Sequence, residues 1–373
     1  MVLSVLNTLF AVLILASPAS AQETLNPSLA RTEPGSSLLW FDIRHLGVEG
    51  KGWTDTKAPY DRLPAKAQGI VRAPVWKLSR DSAGMLVHFV TDATEIHARW
   101  ALLSNRLAMP HMPATGVSGL DLYVKSDDGS WRWLAVGQPT ETLNTRKLVG
   151  AIPPKRRHYM LYFPLYNGVS SVEIGLPEGS LLATLPRDAR TRKPIVFWGT
   201  SITHGACASR PGMVHTAILG RKLERPVVNL GFSGNGRMEP EMAELIAELE
   251  AAVFVIDCLP NLSGQEVTER VEPLVKTLRD RHPQPPIFLV EDRTYADAFL
   301  VSAKRQRNGR SRAALQAAFE RVVSAGIPQL YYLPGENLLG NDGEGTVDSS
   351  HPNDLGFWRQ AQEFEKVLVP LLQ

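Results

Sequence analysis

The sequence predicts an α/β protein in which an all-β sandwich is followed by a three-layer α/β/α domain with a parallel sheet. Residues 22–186 alternate short strand patterns with turns and show no long helical period, which favours a β-sandwich. After Lys193, short apolar runs alternate with amphipathic helices, and this βαβ rhythm is typical of a parallel sheet with helices on both faces. A length of 373 residues is enough for about two such domains.

The strands of the N-terminal half are predicted from alternation and from turn residues. Residues 95–100 alternate polar and apolar side chains, as a half-buried strand should. The segments 120–124 and 131–134 flank Asp127-Asp128-Gly129, a turn sequence that is typical of a β-hairpin. Further strands are predicted at residues 85–90, 158–163 and 172–174.

The C-terminal half is predicted to contain short buried strands separated by helices. The strands are expected at residues 195–198, 227–230, 253–257, 287–290 and 329–333. The helices are expected at residues 213–224, 240–250, 265–281, 311–325 and from 353 towards 371, where Asn353 is a candidate N-cap. Because ligands of open α/β sheets bind beyond the carboxyl ends of the strands, the loops after these strands are expected to carry the functional site.

A serine and a histidine near the two ends of this half are candidates for catalysis. Ser201 follows the apolar run 195–198 in Gly199-Thr200-Ser201-Ile202, so it is expected on a tight turn at the end of a strand. Asp348 stands three residues before His351 in the last loop and can orient its imidazole. Such a set supplies the nucleophile, the general base and the orienting carboxylate of a serine hydrolase. The alternatives are a helix cap for the serine and a surface loop position for the histidine.

Two turns between these segments are candidates for an oxyanion hole. Residues 227–236 are expected to form a strand that runs into a turn at Gly234, where a backbone N–H can approach a substrate without a side chain in the way. Asn261 follows the strand 253–257, and its side-chain amide can donate to a developing oxyanion. The backbone N–H of Ser201 would be a third donor. The alternatives are an ordinary turn for the glycine and a helix cap for the asparagine.

Together these segments resemble the four sequence blocks of the SGNH (GDSL-type) hydrolases. That family is named for a serine, a glycine, an asparagine and a histidine in four blocks, and its histidine block contains an aspartate. The resemblance assigns these roles to Ser201, Gly234, Asn261, His351 and Asp348. It implies Ser-His-Asp catalysis with an oxyanion hole formed by the serine, the glycine and the asparagine, and it implies no cofactor. No cluster of Cys, His, Asp or Glu in the sequence has the spacing of metal ligands, so we expect no metal.

The chain departs from the commonest family pattern at two positions. Thr200 stands where the first block usually has an aspartate, and Leu262 stands where the third block usually has one. A divergent subgroup with G-T-S-I-T and D-C-L-P-N blocks is more similar, and its members often carry an N-terminal domain named for a G-x-D-L-Y motif. Residues 119–123 read Gly-Leu-Asp-Leu-Tyr and match that motif. The resemblance therefore implies a GxDLY-type domain over residues 22–186 and a hydrolase domain over residues 187–373.

The resemblance defines the reaction class more sharply than the substrate. We expect an exported esterase that hydrolyses short acyl esters, in particular acetyl esters on a polysaccharide or oligosaccharide, by analogy with the family. A lipase or thioesterase for longer acyl chains is one alternative. A catalytically silent carbohydrate-binding protein is another, since the first and third blocks are altered.

The N-terminus and the composition indicate an exported protein whose partner is a small ester or a glycan ester. Residues 9–16 form an apolar core before Ala19-Ser20-Ala21, so residues 1–21 are predicted to be the signal peptide of a periplasmic or secreted protein. This core is too short for a stable membrane anchor, which needs roughly 20 apolar residues. The formal net charge of +2 argues against nucleic acid as a partner, and the basic segment 187–193 is expected to be a solvated linker. The oligomeric state stays open.

The cysteines and the tryptophans each allow two interpretations. Cys207 and Cys258 form a disulfide, as an even count in an exported protein suggests, or they are two small buried residues. The tryptophans of the N-terminal half could form an exposed platform for sugars, but positions in the core or at a domain interface are favoured. They are Trp40, Trp53, Trp76, Trp100, Trp131 and Trp133.

Other polar residues near the candidate blocks are expected to have structural roles. His204 and His215 are close to the candidate nucleophile in sequence, but no acidic residue is spaced to hold either of them as a base. His204 could instead line the site and face the substrate. Residues 291–293 follow a strand and could touch substrate, although paired surface charges are favoured. Asp121 and Tyr123 of the G-x-D-L-Y motif are expected to be structural.

Overall fold

The computed structural model describes residues 23–185 and 192–372 of the chain. Within these residues an antiparallel N-terminal part precedes a C-terminal part with a parallel sheet, so the predicted fold class is confirmed. The predicted signal peptide, residues 1–21, and most of the predicted linker, residues 187–191, lie outside the described residues. The domain limits drawn from the sequence stay predictions.

The N-terminal part consists of two antiparallel sheets. Its strands are β1 (Leu38–Asp42), β2 (Val48–Glu49), β3 (Leu86–Thr91), β4 (Ile96–Leu102), β5 (Leu120–Lys125), β6 (Trp131–Gly137), β7 (Leu143–Val149), β8 (Arg157–Tyr162), β9 (Val169–Pro177) and β10 (Leu182–Ala183). Among the described residues one sheet has the order β1-β9-β4-β7, and the other has the order β10-β3-β8-β5-β6 with β2 beside β3. The strands β1 and β7 are not predicted from the sequence. They are the edges of their sheet, and most residues of β7 are exposed or half-buried, so no apolar alternation marks it.

The core of the N-terminal part lies between the two sheets. Along β4, buried and half-buried positions alternate from Ile96 to Leu102, as the predicted period of two requires. Trp100 is completely buried, and its ring N–H donates to the backbone oxygen of Ser118 at 3.0 Å. Trp40 is likewise buried, whereas Trp133 is 49% exposed, so the tryptophans do not form one exposed platform.

The C-terminal part is built on one parallel sheet. Its strands are β11 (Ile195–Gly199), β12 (Val227–Gly231), β13 (Val253–Asp257), β14 (Ile287–Val290) and β15 (Leu330–Leu333). Each lies where the sequence predicts it, with bounds that differ by at most one residue. In the described residues the strand order is β12-β11-β13-β14-β15, so β11, which precedes Ser201, is an inner strand.

Short helices stand in the N-terminal part and longer ones cover the parallel sheet. They are α1 (Ala73–Leu78), α2 (Ala114–Val117), α3 (Ser201–His204), α4 (His215–Lys222), α5 (Pro240–Ile246), α6 (Gly264–Arg281), α7 (Ser302–Ser324) and α8 (Asp354–Leu368). The side-chain oxygen of Asn353 accepts from the N–H of Gly356 at 3.0 Å, so the predicted cap of α8 is confirmed. Helix α7 begins at Ser302, so the predicted start near residue 311 is wrong. The sequence gives no signal for the first turns, because they are polar and carry no apolar period.

The parallel sheet is covered on both faces. Val196 and Trp198 of β11 pack in one apolar core with α5, α6 and α7, whereas Phe197 of the same strand packs in another core with α4 and α8. This three-layer arrangement buries both faces of the sheet. The carboxyl ends of the strands are left to loops, and Ser201 lies at one of these ends.

One segment of the N-terminal part packs on the parallel domain instead of the sandwich. Trp53 and Val75 lie in the same apolar core as Trp198 of β11. The guanidinium of Arg62, a residue that is 1% exposed, donates to the backbone oxygen of Gly231 at 2.7 Å. The two parts of the chain therefore share buried surface, which the strand pattern of the sequence does not predict.

Candidate functional site

Ser201 stands where β11 ends and α3 begins. Gly199, the last residue of β11, has no room for a side chain, because a Cβ there would lie 2.0 Å from Oγ1 of Thr203. The side chain of Thr200 accepts from the N–H of Ile202 at 3.3 Å and so caps α3. Ser201 itself is 8% exposed. This tight turn therefore presents a serine of which only a small part reaches solvent.

His351 contacts the hydroxyl group of Ser201 directly. The Oγ atom of Ser201 and the Nε2 atom of His351 are 2.8 Å apart. On the other side of the ring, Nδ1 of His351 lies 2.7 Å from Oδ2 of Asp348. The other carboxylate oxygen accepts from the backbone N–H of His351 at 2.7 Å. The three residues predicted from the sequence thus form one hydrogen-bonded chain from carboxylate to hydroxyl.

The hydrogen-bond geometry of Asp348, His351 and Ser201 indicates which of their atoms carry protons. Burial disfavours the charged form of Asp348, but the hydrogen bonds from His351 outweigh burial and lower the pKa of the Asp348 carboxyl. An ionised carboxylate can only accept, so the Nδ1 atom of His351 must carry the hydrogen that the two groups share. Its Nε2 atom is then able to accept the proton of Ser201, as a general base does.

Gly234 lies in a tight turn that packs against the end of β11. The N–H groups of Asn235 and Gly236 close this turn by donating to the oxygen of Phe232 at 2.8 and 2.9 Å. Gly234 is exposed and has a φ of 68°, in the left-handed region that glycine adopts without strain. A Cβ at Gly236 would lie 2.0 Å from the backbone oxygen of Gly199. The candidate glycine is therefore held beside the strand end that carries the serine.

Asn261 offers an amide donor that is not used elsewhere. It ends a short 3-10 turn, Leu259–Asn261, that follows β13. Its Nδ2 atom is buried and has no hydrogen-bond partner among the described residues. A buried donor without a partner costs about 1–3 kcal/mol, so a ligand that accepts from it gains this free energy back. The cap of α6 is Ser263 rather than Asn261, so the helix-cap alternative is wrong.

A buried ion pair lies beneath the serine. The hydroxyl of Thr203 donates to Oδ2 of Asp257 at 3.0 Å, and the same oxygen accepts from Nη2 of Arg293 at 2.8 Å. The Nε atom of Arg293 donates to the side-chain oxygen of Gln360 at 2.7 Å. The expectation of surface charges at residues 291–293 is therefore wrong. All three are at most 8% exposed, because they follow β14 inside the sheet.

The two histidines nearest to Ser201 in sequence are both completely buried. The Nε2 atom of His204 lies 2.7 Å from the backbone oxygen of Leu165, and its ring stacks on that of Tyr166 with centroids 4.0 Å apart. Burial disfavours the charged imidazolium and holds the pKa of His204 and of His215 well below the ordinary value. Their burial fits the structural role expected from the sequence.

Residues of the N-terminal part also reach the site. The ring centroids of His111 and His351 are 6.0 Å apart. The hydroxyl of Tyr166 donates to the backbone oxygen of Ser201 at 3.3 Å. Neither residue is predicted from the sequence, because no local pattern marks it. Thr203 could have been found from the sequence, because it is the last threonine of the G-T-S-I-T block on which the family resemblance rests.

An open groove runs beside the histidine. Its lining residues come from both parts of the chain, and they include His111, Pro113, Cys207, Ser209, Val347 and Leu355. A separate cavity of about 300 Å³ lies at the opposite end of the sheet, where Val227 begins β12. Since Ser201 lies at the carboxyl end of β11, a substrate would enter from the groove and not from that cavity.

Both cysteines are free thiols, so the disulfide alternative is not realised. Cys207 lines the groove, and burial together with the negative charge of Asp348 raises the pKa of the Cys207 thiol to about 12. Cys258 is completely buried, and its thiol contacts the backbone oxygen of Trp198 at 3.5 Å. A thiol that stays protonated is a poor nucleophile, so neither cysteine competes with the serine for that role.

The part of the chain that the structure describes offers no metal centre and no membrane span. Within it, no group of three or more His, Cys, Asp or Glu side chains is placed to hold a metal ion. Nor does any helix of residues 23–185 and 192–372 combine the length and the apolar character that crossing a bilayer requires.

Two family models match the chain. The model of the GDSL-like lipase/acylhydrolase family matches residues 192–369, and the GxDLY model of the N-terminus of SGNH-hydrolase-type esterases matches residues 38–182. A protein described as a GDSL-like lipase, from Bacteroides ovatus, is 33% identical with a TM-score of 0.85, and the match covers 90% of this chain and 98% of that one. No curated protein sequence matches the chain.

Two more distant solved structures are similar in fold. The salicylyl-acyltransferase SsfX3 from a tetracycline biosynthetic pathway is 19% identical with a TM-score of 0.68, over 95% of this chain and 98% of that one. An active-site mutant of a family two carbohydrate esterase from Clostridium thermocellum is 17% identical with a TM-score of 0.55, over 77% and 93% of the two chains. At these identities the likeness shows the fold alone.

Proposed function

The chain belongs to the GDSL-like lipase/acylhydrolase family, and on that premise we propose that this ester hydrolase is an exported serine esterase for short acyl esters. Acetyl esters carried by a carbohydrate are the substrates we favour. The observation that carries the proposal is the hydrogen-bonded chain from Asp348 through His351 to Ser201. It supplies the three groups that acyl transfer through a serine requires.

In the first half of the reaction His351 acts as general base. Its Nε2 atom takes the proton of Ser201 as the Oγ atom attacks the ester carbonyl carbon. Negative charge then develops on the carbonyl oxygen. We assign its stabilisation to the backbone N–H groups of Ser201 and Gly234 and to the side-chain amide of Asn261. One such donor contributes about 3–4 kcal/mol to the transition state.

In the second half the same histidine returns the proton. As the tetrahedral intermediate collapses, the bond to the alcohol breaks, and His351 protonates the leaving oxygen. Ser201 keeps the acyl group as an ester. Water then attacks that ester while His351 accepts its proton. His351 passes this proton to the Oγ atom of Ser201 as the bond between Oγ and the acyl carbon breaks, and the carboxylic acid leaves. Asp348 remains ionised throughout and stabilises the imidazolium, which fits the lowered pKa of its carboxyl.

Four considerations support a short acyl group on a polar alcohol. Ser201 is only 8% exposed, which favours a small acyl group. The groove beside His351 contains the polar residues His111 and Ser209, which suit hydroxyl groups of a sugar. Export, which is predicted from residues 1–21, would bring the enzyme to extracytoplasmic polymers. A family two carbohydrate esterase of similar fold, from Clostridium thermocellum, adds an analogy.

An esterase for longer acyl chains is the second candidate, and one surface feature favours it. Phe299 and Leu300 are 82% and 78% exposed on the loop before α7. The same loop contacts the loop that carries the catalytic histidine, because the N–H of Ala296 donates to the backbone oxygen of Ser349 at 2.9 Å. An exposed apolar pair near the site would suit an apolar substrate.

A panel of esters separates the two candidates. We expect kcat/KM to be highest for p-nitrophenyl acetate and to fall as the acyl chain lengthens, and we expect release of acetate from acetylated glycans. The matched control is Ser201→Ala, which should be inactive on every ester. A maximum of kcat/KM at eight or more carbons would replace the acetylesterase by the long-chain candidate. Failure to hydrolyse any ester would refute both.

A further inference from the structure

Asp121 of the G-x-D-L-Y motif contacts the hydrolase part of the chain. It lies on β5 and is completely buried. Its Oδ2 atom accepts from Nη1 of Arg210 and from the backbone N–H of Gly212, each at 2.8 Å. Its Oδ1 atom accepts from the ring N–H of Trp133 at 2.9 Å. Two of these donors, Arg210 and Gly212, belong to the hydrolase part of the chain. The motif therefore does more than stabilise the sandwich.

Tyr123 strengthens the same contact. Its hydroxyl group bonds to Nη1 of Arg210, and the guanidinium of Arg221 lies 4.0 Å from the centroid of its ring. Arg221 also donates to the backbone oxygen of Gly212 at 2.7 Å. A Cβ at Gly212 would lie 2.4 Å from the ring of Tyr123. Because Gly212 has no side chain, the loop that contains it can pack directly against the ring of Tyr123 on β5.

Residues 205–212, the bridging segment, connect this contact to both catalytic loops. Near its start the backbone N–H of Ala206 donates to the backbone oxygen of Ser201 at 2.9 Å. Further on, the N–H of Ser209 donates to Oδ1 of Asp354 at 2.9 Å, and its hydroxyl donates to the other oxygen of that carboxylate. Asp354 is the first residue of α8 and follows His351 by three positions. The segment thus touches the serine's helix and the helix that begins after the histidine.

A second element of the N-terminal part supports the bridging segment. The hydroxyl of Thr115, in α2, donates to the backbone oxygen of Ser209 at 2.6 Å. A Cβ at Gly116 would lie 2.2 Å from the backbone oxygen of Ala208. Two elements of the GxDLY-type domain, β5 and α2, therefore contact the bridging segment and hold it in place.

We propose that Asp121 is a positioning residue for the catalytic histidine, so that the GxDLY-type domain sets the geometry of the catalytic pair through the bridging segment. This inference rests on the proposed function. Asp121 holds Arg210 and Gly212, and the neighbouring Ser209 holds the start of α8. A shift of the segment would move the histidine loop relative to the serine. Misplacement of a reacting group by about 1 Å can reduce a rate by about 10²-fold.

The test compares two buried aspartates whose hydrogen-bond partners lie in different parts of the chain. Asp121→Asn keeps the shape of the side chain and removes its charge. The matched control is Asp61→Asn: Asp61 is 1% exposed and accepts from Nε of Arg80 at 2.6 Å and from the N–H of Ala58 at 2.9 Å. These two partners lie in the N-terminal part. We expect both variants to lose thermal stability.

The expected difference lies in kcat. With p-nitrophenyl acetate, Asp121→Asn should lower kcat by about tenfold to about 100-fold at nearly constant KM, whereas Asp61→Asn should leave both constants close to wild type. Asp354→Asn should lower kcat by a similar factor. The double variant of Asp121 and Asp354 should lose little more than either single variant, because both act along one path.

Hydrogen–deuterium exchange provides a readout that does not depend on activity. Peptides covering residues 345–356 should exchange faster in Asp121→Asn than in Asp61→Asn when the two variants are compared at equal thermal destabilisation. If Asp121→Asn does not fold, Arg210→Lys replaces it with the same expected result, since lysine keeps the charge but lacks the planar guanidinium.

Two results would overturn the inference. One is an equal fall in kcat for the variants of Asp121 and Asp61, and the other is unchanged exchange of residues 345–356 in Asp121→Asn. Either would reduce Asp121 to a purely structural residue. The proposed function is judged separately, by ester hydrolysis of the wild type. If the wild type hydrolyses no ester, the esterase proposal fails, while the exchange comparison still decides whether Asp121 holds the histidine loop.

Discussion

The Nε2 atom of His351 lies 2.8 Å from the Oγ atom of Ser201, although 150 positions separate the two residues in the chain. One belongs to the turn after β11 and the other to the loop before α8. Parallel strands end at the same edge of their sheet, so the loops that follow them converge on one side of the domain. The predicted effects of substitutions depend on this convergence.

Removal of the serine hydroxyl should abolish hydrolysis. We expect Ser201→Ala to lower kcat/KM on p-nitrophenyl acetate by about 10³-fold or more, because the variant lacks the Oγ atom that carries the acyl group in the proposed reaction. The thermal transition should stay close to that of the wild type. A fluorophosphonate probe should label the wild type and leave the variant unlabelled. Turnover retained in the purified variant would remove Ser201 from the role of nucleophile.

Loss of the amide of Asn261 should lower activity without lowering stability. In Asn261→Ala we expect kcat to fall by about 10²–10³-fold with little change in KM, as for other oxyanion-hole donors. The free energy of unfolding should stay constant or rise, because the removed Nδ2 atom is buried without a partner among the described residues. Kinetics and urea unfolding of the same preparation measure both effects.

The control for this variant is Asn229→Ala. The Nδ2 atom of Asn229 is buried too, but it donates to the backbone oxygen of Thr203 at 2.6 Å. Its removal should therefore cost stability, by about 1–3 kcal/mol, since it leaves a buried acceptor unpaired. Equal stability losses in the two variants, or full kcat in Asn261→Ala, would contradict the assignment of Asn261.

Chelation should leave the rate unchanged. In the proposed reaction Ser201 supplies the nucleophile and His351 the base, so no step calls on a metal ion. We expect the initial rate of ester hydrolysis to be the same, within error, before and after exhaustive dialysis against EDTA. A large loss that added zinc restores would mean that the mechanism is wrong.

His215 should make the protein less stable in mild acid. Its ring is completely buried, it stacks near Phe364 at a centroid distance of 5.5 Å, and neither nitrogen has a partner among the described residues. Burial, and then the charge of Arg293, hold the pKa of His215 well below its ordinary value. As pH falls below about 6.5, the unfolded chain binds a proton that the folded chain does not. Stability should then fall by up to about 1.4 kcal/mol per pH unit from this residue.

His215→Phe tests this pH dependence. Phenylalanine keeps an aromatic ring among its aromatic neighbours and removes the titrating group. We expect the difference in the free energy of unfolding between pH 7.5 and pH 5.5 to be smaller in the variant, by up to about 1.4 kcal/mol. Urea unfolding at the two pH values measures it. An identical difference in the variant and the wild type would show that His215 does not contribute.

A chain that begins at Arg192 should fail to fold independently. Trp53 and Val75 of the N-terminal part are buried in the apolar core that contains Trp198 of β11. Without them this core is open to water, and each large apolar side chain lost from it removes about 1.5–3 kcal/mol of burial free energy. We expect poor solubility, or a soluble product that binds ANS and melts without a cooperative transition. A soluble, cooperatively unfolding and active fragment would refute this expectation.

The strands of the parallel domain are the part of the fold that the sequence predicts best. The bounds of β13 and β14 agree with the prediction, because strands buried on both faces are continuous apolar runs. The first turns of α7 escape prediction, since they are polar. They are held by tertiary contacts such as the hydrogen bond from Asn308 to the backbone oxygen of Arg293 at 3.0 Å. No local pattern encodes such a contact.

The sequence alone predicts the family, the fold class and the candidate residues Ser201, His351 and Asp348. These follow from short motifs whose geometry depends on a few neighbouring residues. The burial of residues 291–293 and the contact of Asp121 with the hydrolase part of the chain become apparent in the three-dimensional structure and not in the sequence. Burial and pairing depend on which elements pack together, and local sequence patterns do not specify this. Asp121 meets Arg210 across 89 positions of the chain, and no spacing in the sequence reports that contact.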